Sequence, residues 1–385
     1  MRDRHKEKQT EKKLMNNKKH RLAAGGILGI IVLMLFYIFY LDEDRISDPN
    51  AVTITTPGVY ETSEDLITDL GRYEEYRSLY QRLKESEEPD HGTYVIPGLN
   101  GMKTFNLHTS EIDMCYDMTP QGVAVTADYL IFSAYCHRSD HTSVIVLLDR
   151  ETGAMVKEIP LEGKPHVGGV AYDGDRQILW VSGDMEGKAS VIALTLHAIE
   201  AYDSERMQAP IEYTYQELLP ELKANSFMTY HEGMLYVGYF RLTGKSTIWR
   251  YMVDTDGTLI HPVRNLSIWE KIRNYMRIPA ADAFARILPK IQGISFVRNQ
   301  LLMTQSYGPS DSSLFVSDET DLINGDNNLT KKHIIERFTY PGYLESACYY
   351  EEENKVYFLF EGGARSYRWK ASVPMDRIIC LDLDD

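Results

Sequence analysis

The chain has 385 residues, 43% hydrophobic and 25% charged, with a net charge of −15; this composition supports a large folded domain and excludes wholesale disorder. The first 21 residues hold nine Lys/Arg against three Asp/Glu, so the remainder is more acidic than the whole. A surface of that sign repels phosphate backbones, and nucleic acid is excluded as an expected partner.

After this basic tail, residues 22–41 read LAAGGILGIIVLMLFYIFYL, without a charge. Twenty apolar residues at about 1.5 Å each span a hydrocarbon core of about 30 Å. Tyr37 and Tyr40 sit near the far end, where aromatic rings favour the interface, and the acidic DEDRISD follows. Positive charge before the span and negative charge after it predict a single-pass anchor in the cell membrane, with the N-terminus inside and the rest outside. A cleaved signal peptide is the competing reading. The apolar run is long for one, and no small-x-small site follows it.

Residues 42–92 read as an extracellular tether and a stalk helix. Thr62 and Asp65 have the spacing of a capping box, and Leu66, Leu70, Tyr73, Leu79 and Leu83 form an apolar stripe. That stripe must be covered, either by the neighbouring domain or by the same helix of a second copy.

From 93 to 385 one pattern repeats at about 40 to 50 residues, the period of a β-propeller blade. Five inner strands are expected: PQGVAVT from Pro120, VGGVAYD from Val167, NSFMTYHE from Asn225, IQGISFVR from Ile291 and ESACYYEE from Glu345. Each is followed by a second apolar run, and third runs open at Ser143, Ser190, Ser246, Ser313 and Arg377. The expected fold is all-β, a five-bladed propeller. Its last blade lacks an outer strand, which GMKTFNLHTS around Phe105 is expected to supply. An insertion at about 266–288 has helical spacing through Ile268, Ile272, Tyr275 and Met276; Pro279 divides it, and Ala283, Phe284 and Ile287 resume it. It reads either as rim packing or as a lid.

Cys115, Cys136, Cys348 and Cys380 all follow the anchor. They are candidates for two disulfides, Cys115 with Cys136 and Cys348 with Cys380, or for four buried thiols. No His/Cys cluster has zinc spacing, and neither a P-loop nor a Gly-x-Ser-x-Gly elbow occurs. No cofactor can be named.

Propeller geometry brings the leading ends of inner strands and the loops after second strands to one mouth. The candidate ligand-binding residues there are Gln121, Asn225, Gln292, Tyr135, His137, Tyr307, Glu361, Arg365, Tyr367 and Arg368. Glu345 and His166 form the candidate acid/base pair. The tyrosines offer flat faces to sugar rings and the arginines offer forks to anions. Glycines 122, 168, 169 and 293 are read first as a packing requirement where strands crowd the axis.

The TPQGVAV and PHVGGVAYD strands, SVIVLLDRETG and FEGGARSYR together make residues 94–385 resemble a membrane-anchored β-propeller of bacterial surface proteins. The five-bladed class includes sugar-binding lectins, arabinan-cleaving glycosidases and calcium-dependent nucleotidases. The glycosidases' Asp/Asp/Glu set finds no counterpart, because Gln121, Gly168 and Gln292 stand where strand-leading acids are wanted. The resemblance implies a surface module binding a glycan or peptide. The alternatives are an envelope-polysaccharide hydrolase or lyase using Glu345 and His166, and a scaffold for another membrane protein.

Overall fold

The second and third strands of each repeat read as nearly unbroken apolar runs because both of their faces are covered. In the computed structural model, which describes residues 54–262, 283–323 and 327–383, alternate residues of one strand enter different cores. Leu130, Phe132 and Ala134 join the cluster shared with the last blade, whereas Ile131 joins the cluster shared with the second. Among the described residues there are five such clusters, one in each wedge between neighbouring sheets. The basic tail, the expected anchor at 22–41, the start of the tether and Ile268, Ile272, Tyr275, Met276 and Pro279 of the insertion lie outside the described residues. Among the described residues, no helix is long and apolar enough to cross a membrane.

The protein is a five-bladed β-propeller. Its inner strands are Met118–Val125, Val170–Asp173, Phe227–His231, Ile291–Val297 and Leu344–Tyr350. Each packs on the next, and the fifth packs on the first. Every blade is an antiparallel sheet running outward from its inner strand. Second-strand hydroxyls help to hold the hub. Ser133 accepts from Gly122 N at 3.0 Å and donates to Val167 O of the next blade at 2.7 Å. Thr304 donates to Glu345 O across the junction of the fourth and fifth blades at 3.3 Å. The axial glycines are required by close approach: a Cβ on Gly168 would stand 2.4 Å from Ser226 O, and one on Gly122 2.7 Å from Val170 Cγ2.

Three expectations need correction. The ring is closed by Thr93–Val95, which pairs with Arg377–Ile379 in the fifth blade. Met102–Phe105 instead forms a hairpin with Ile112–Cys115, because a tight turn at Asn106, whose Oδ1 accepts from His108 N at 2.8 Å, brings these neighbours together first. Phe284–Ile287 is a strand rather than a helix. It pairs with Ser246–Trp249, an edge left open because the short outer strand Leu259–Ile260 covers only Met252 and Val253. Cys348 and Cys380 lie opposite the two sides of Tyr357. Two strand spacings, about 10 Å, separate them, too far for a disulfide. All four cysteines are free thiols in this structure.

The segment after the tether forms two helices, α1 (Ser63–Leu70) and α2 (Arg77–Glu85), separated by a short turn. The Thr62–Asp65 capping box starts α1. The stripe is covered by the same chain: Leu66, Leu70, Leu79 and Leu83 are buried with Val356, Phe358 and Leu381 in the wedge between the fourth and fifth blades. Burying each leucine stabilises the fold by about 1.5–3 kcal/mol. The strap before α1 is pinned as well. Asp376, fully buried, accepts from Val59 N at 2.6 Å, Tyr60 N at 2.9 Å and Arg377 Nη1 at 2.5 Å.

Candidate functional site

In three blades the inner strand holds one residue more than its partner. The register slips between Pro120 and Val123, between Ile291 and Gly293, and between Leu344 and Ser346. Such a bulge turns a side chain out of the strand's alternation. The residues at the slips include Gln121, Gln292 and Glu345, and all three reach one floor. Gln121 Nε2 donates to Glu361 Oε2 at 3.0 Å, and Gln292 Nε2 donates to Glu345 Oε1 at 3.2 Å. Glu345 and Glu361 hydrogen-bond to each other.

Two touching carboxyls resist double ionisation. Burial first, and then the charge of Glu361, holds Glu345 well above the usual carboxylate range. Burial raises Glu361 to about 7, against the opposing hydrogen bonds from Glu345 and Gln121. Around neutral pH the pair therefore retains a proton between its two carboxyls. Such a pair both donates and accepts hydrogen bonds.

Aromatic rings wall this floor on the side of the first and fifth blades. The His166 ring stacks on Tyr135 at 4.4 Å and 28°. His137 meets Tyr367 edge-on at 5.3 Å, and its Nδ1 lies 3.4 Å from the hydroxyls of both Tyr135 and Tyr367. Tyr343, buried, stacks on the other side of Tyr367 at 4.9 Å. His137 and His166 are exposed, and Tyr135 and Tyr367 are half-buried. The His166 ring touches solvent yet is enclosed by the funnel around it. That desolvation, with the nearby charge of His137, lowers its pKa. Burial, then the charge of Glu361, pushes the Tyr135 hydroxyl up to about 12.

Three strained backbone positions precede inner strands. Val167, Lys290 and Tyr343, each just ahead of an inner strand, have φ of +50°, +61° and +67°. For a β-branched or bulky residue this is a genuine outlier, of the kind that clusters at ligand sites. Tyr343 O accepts from Glu361 N at 3.0 Å, so one strained residue seats the second carboxyl.

Eight of the sequence candidates therefore converge: Gln121, Tyr135, His137, His166, Gln292, Glu345, Glu361 and Tyr367. The expected pairing does not hold, because Glu345 takes Glu361 as its partner while His166 stacks on Tyr135. Asn225 donates to Ser190 O and links the second and third blades. Tyr307, 53% exposed, lies in the fourth blade beside Phe240 and under Lys290. Arg368 faces away from the mouth, donating to Gly58 O at 2.6 Å, Leu99 O at 2.8 Å and Asn100 Oδ1 at 3.0 Å. Arg365 is near enough for its charge, after burial, to lower the pKa of Arg368. Sequence reasoning misses Tyr343; the Pro341-Gly342 pair before it is the only signal of a special turn.

No family model matches the chain, and no curated protein matches it. Among solved structures, it is similar to the WD40 repeats of RRP9, with 9% identity over 73% of this chain and 99% of that one, at a TM-score of 0.40. It is also similar to the Cps50 (Swd1) β-propeller domain of Myceliophteria thermophila, with 12% identity over 64% and 65% and a TM-score of 0.30. Against the Kuenenia stuttgartiensis hydrazine synthase the identity is 11% over 62% of this chain and the TM-score 0.32. The chain spans 55% of that protein's length. Function has to be argued from the mouth itself.

The mouth combines flat rings, a proton-sharing carboxyl pair and two amides. Its carboxyls are in contact, whereas a two-carboxylate glycosidase separates them by about 5 Å or more to hold a sugar carbon or a water between them.

Proposed function

We propose that the propeller is a binding module whose mouth takes a polyhydroxylated ring, such as a sugar of an envelope glycan, and that the segment at 22–41 displays it outside a membrane. The carrying observation is the ring wall of Tyr135, His166 and Tyr367 over the Glu345–Glu361 floor. A sugar ring has an apolar face suited to such a wall and hydroxyls that both donate and accept, as the floor does. The contact between the carboxyls favours binding over two-carboxylate hydrolysis.

The test is binding of the full chain to an oligosaccharide array, followed by titration of the best sugars against Tyr135→Ala and Tyr367→Ala. The expected result is at least a tenfold loss of affinity with unchanged circular dichroism. Binding that survives both substitutions overturns the reading. A second reading, acid/base catalysis on the same ligand, is favoured by the shared proton, since carboxyls of unequal pKa can divide the roles of acid and base. It is supported if product accumulates and Glu345→Gln abolishes turnover while leaving affinity intact.

A further inference from the structure

Behind the mouth, three elements meet at a cluster unused by the ring wall. Cys115 ends the hairpin strand Ile112–Cys115, Cys136 ends the second strand of the first blade, and His141 lies in the loop that follows. Both cysteines are buried and unbridged. Their sulfurs and a ring nitrogen of His141 all lie within 4.8 Å of one another. The Cys136 Sγ to His141 Nδ1 distance is 3.6 Å.

We propose that Cys115, Cys136 and His141 bind Zn2+, with a fourth position left for water. Zinc takes thiolates at about 2.3 Å and imidazole at about 2.0–2.1 Å, so two such ligands at tetrahedral angles stand about 3.6 Å apart, which matches the Cys136–His141 spacing. The imidazole is already turned for the task. Nε2 faces Asp113 Oδ1 at 2.7 Å, which fixes the proton on that nitrogen and leaves the Nδ1 lone pair toward the sulfurs. This carboxylate–histidine arrangement is the usual support of a ligating histidine. Asp113 is itself held by Asn106 Nδ2 at 3.0 Å.

Backbone donors also point at the sulfurs. Cys115 accepts from the backbone N–H of Asp117, and Cys136 from those of Asp140 and His141. A disulfide between the same sulfurs would leave these donors and the Nδ1 lone pair aimed at neutral atoms. The spacing, 20 residues between the cysteines and four more to the histidine, resembles no short zinc motif; the ligands meet only because the hairpin folds onto the first blade. Such an ion would fix the loop that begins at His137, next to ligand Cys136, and so set one ring of the mouth.

The test uses the full chain, reduced and freed of reductant without oxygen, titrated with Co2+ as an absorbing substitute for Zn2+. The expected result is one equivalent bound with thiolate-to-cobalt absorption and tetrahedral d–d bands, discharged by Zn2+. Cys115→Ser and Cys136→Ser remove the absorption. His141→Gln and Asp113→Asn, at less buried positions, keep the test valid if the cysteine variants fail to fold. His141→Gln abolishes the tetrahedral spectrum, and Asp113→Asn weakens affinity about 10- to 100-fold. A reduced chain that gives no thiolate absorption overturns the proposal. So does absorption that survives His141→Gln and both serine variants, or a chain isolated with the two sulfurs joined that binds no Co2+ once reduced.

Discussion

Replacing Glu361 by glutamine should make the protein more stable at neutral pH. In the native state Glu361 ionises only near pH 7, its ordinary value being 4.5. Between those values the unfolded chain has released a proton that the folded chain still holds, so wild-type stability falls as pH rises through this window. At about 1.4 kcal/mol per pH unit the accumulated loss is about 3 kcal/mol. The introduced amide cannot ionise, and its oxygen can still accept from Gln121. Below about pH 4 the two proteins should be equally stable, because both carry a neutral group there. At pH 8 the variant should be ahead by about 3 kcal/mol. Unfolding entropy of about 2.1 cal/mol/K per residue over roughly 330 residues converts this into a Tm about 4 °C higher. The assay is thermal unfolding of both proteins from pH 4 to pH 8, in which groups remote from the pair cancel in the difference. A variant less stable at pH 8, or a gap that does not change with pH, would show that the carboxyl pair is not buried and coupled as described.

Two further perturbations test the frame. Asp376→Asn leaves the buried Arg377 guanidinium without its counter-charge and should cost about 3–5 kcal/mol, a Tm lower by about 4–7 °C; a drop of under 1 °C in differential scanning calorimetry would refute the buried pair. Gly168→Ala drives a methyl to 2.4 Å from Ser226 O and should cost about 1–3 kcal/mol. Gly174→Ala, whose methyl would meet only the Tyr172 ring at 3.8 Å, should be close to neutral when the two glycine variants are compared by urea titration.

What the sequence reveals follows from periodicity. YLIFSAYC and SVIVLLD are apolar on both faces, and only a strand between two wedges needs that. The capping box at Thr62 and the stripe through Leu83 are local patterns, and they form two helices rather than one because the chain turns at Gly71–Tyr73. The carboxyl pair is harder to see. Glu345 is visible as a strand-leading acid, but its union with Glu361 depends on a bulge, a property of register between strands. Phe284–Ile287 fits a helical or an extended spacing equally well; the open edge of the third blade decides it. Arg368 resembles a ligand group in the sequence because it neighbours Arg365 and Tyr367. Only the path of the strap through Gly58 and Leu99 shows that it is occupied.

The ring's closing sheet joins Thr93–Val95 to a strand near residue 380, almost 300 positions later. During synthesis four blades can form while the fifth still waits for its third strand, with Lys355–Phe360 presenting an unpaired edge. Circularity therefore arrives late and all at once, as a non-local step of the kind that slows folding. A nascent chain stalled before Arg377 would be an open arc, prone to pair that edge with a neighbour.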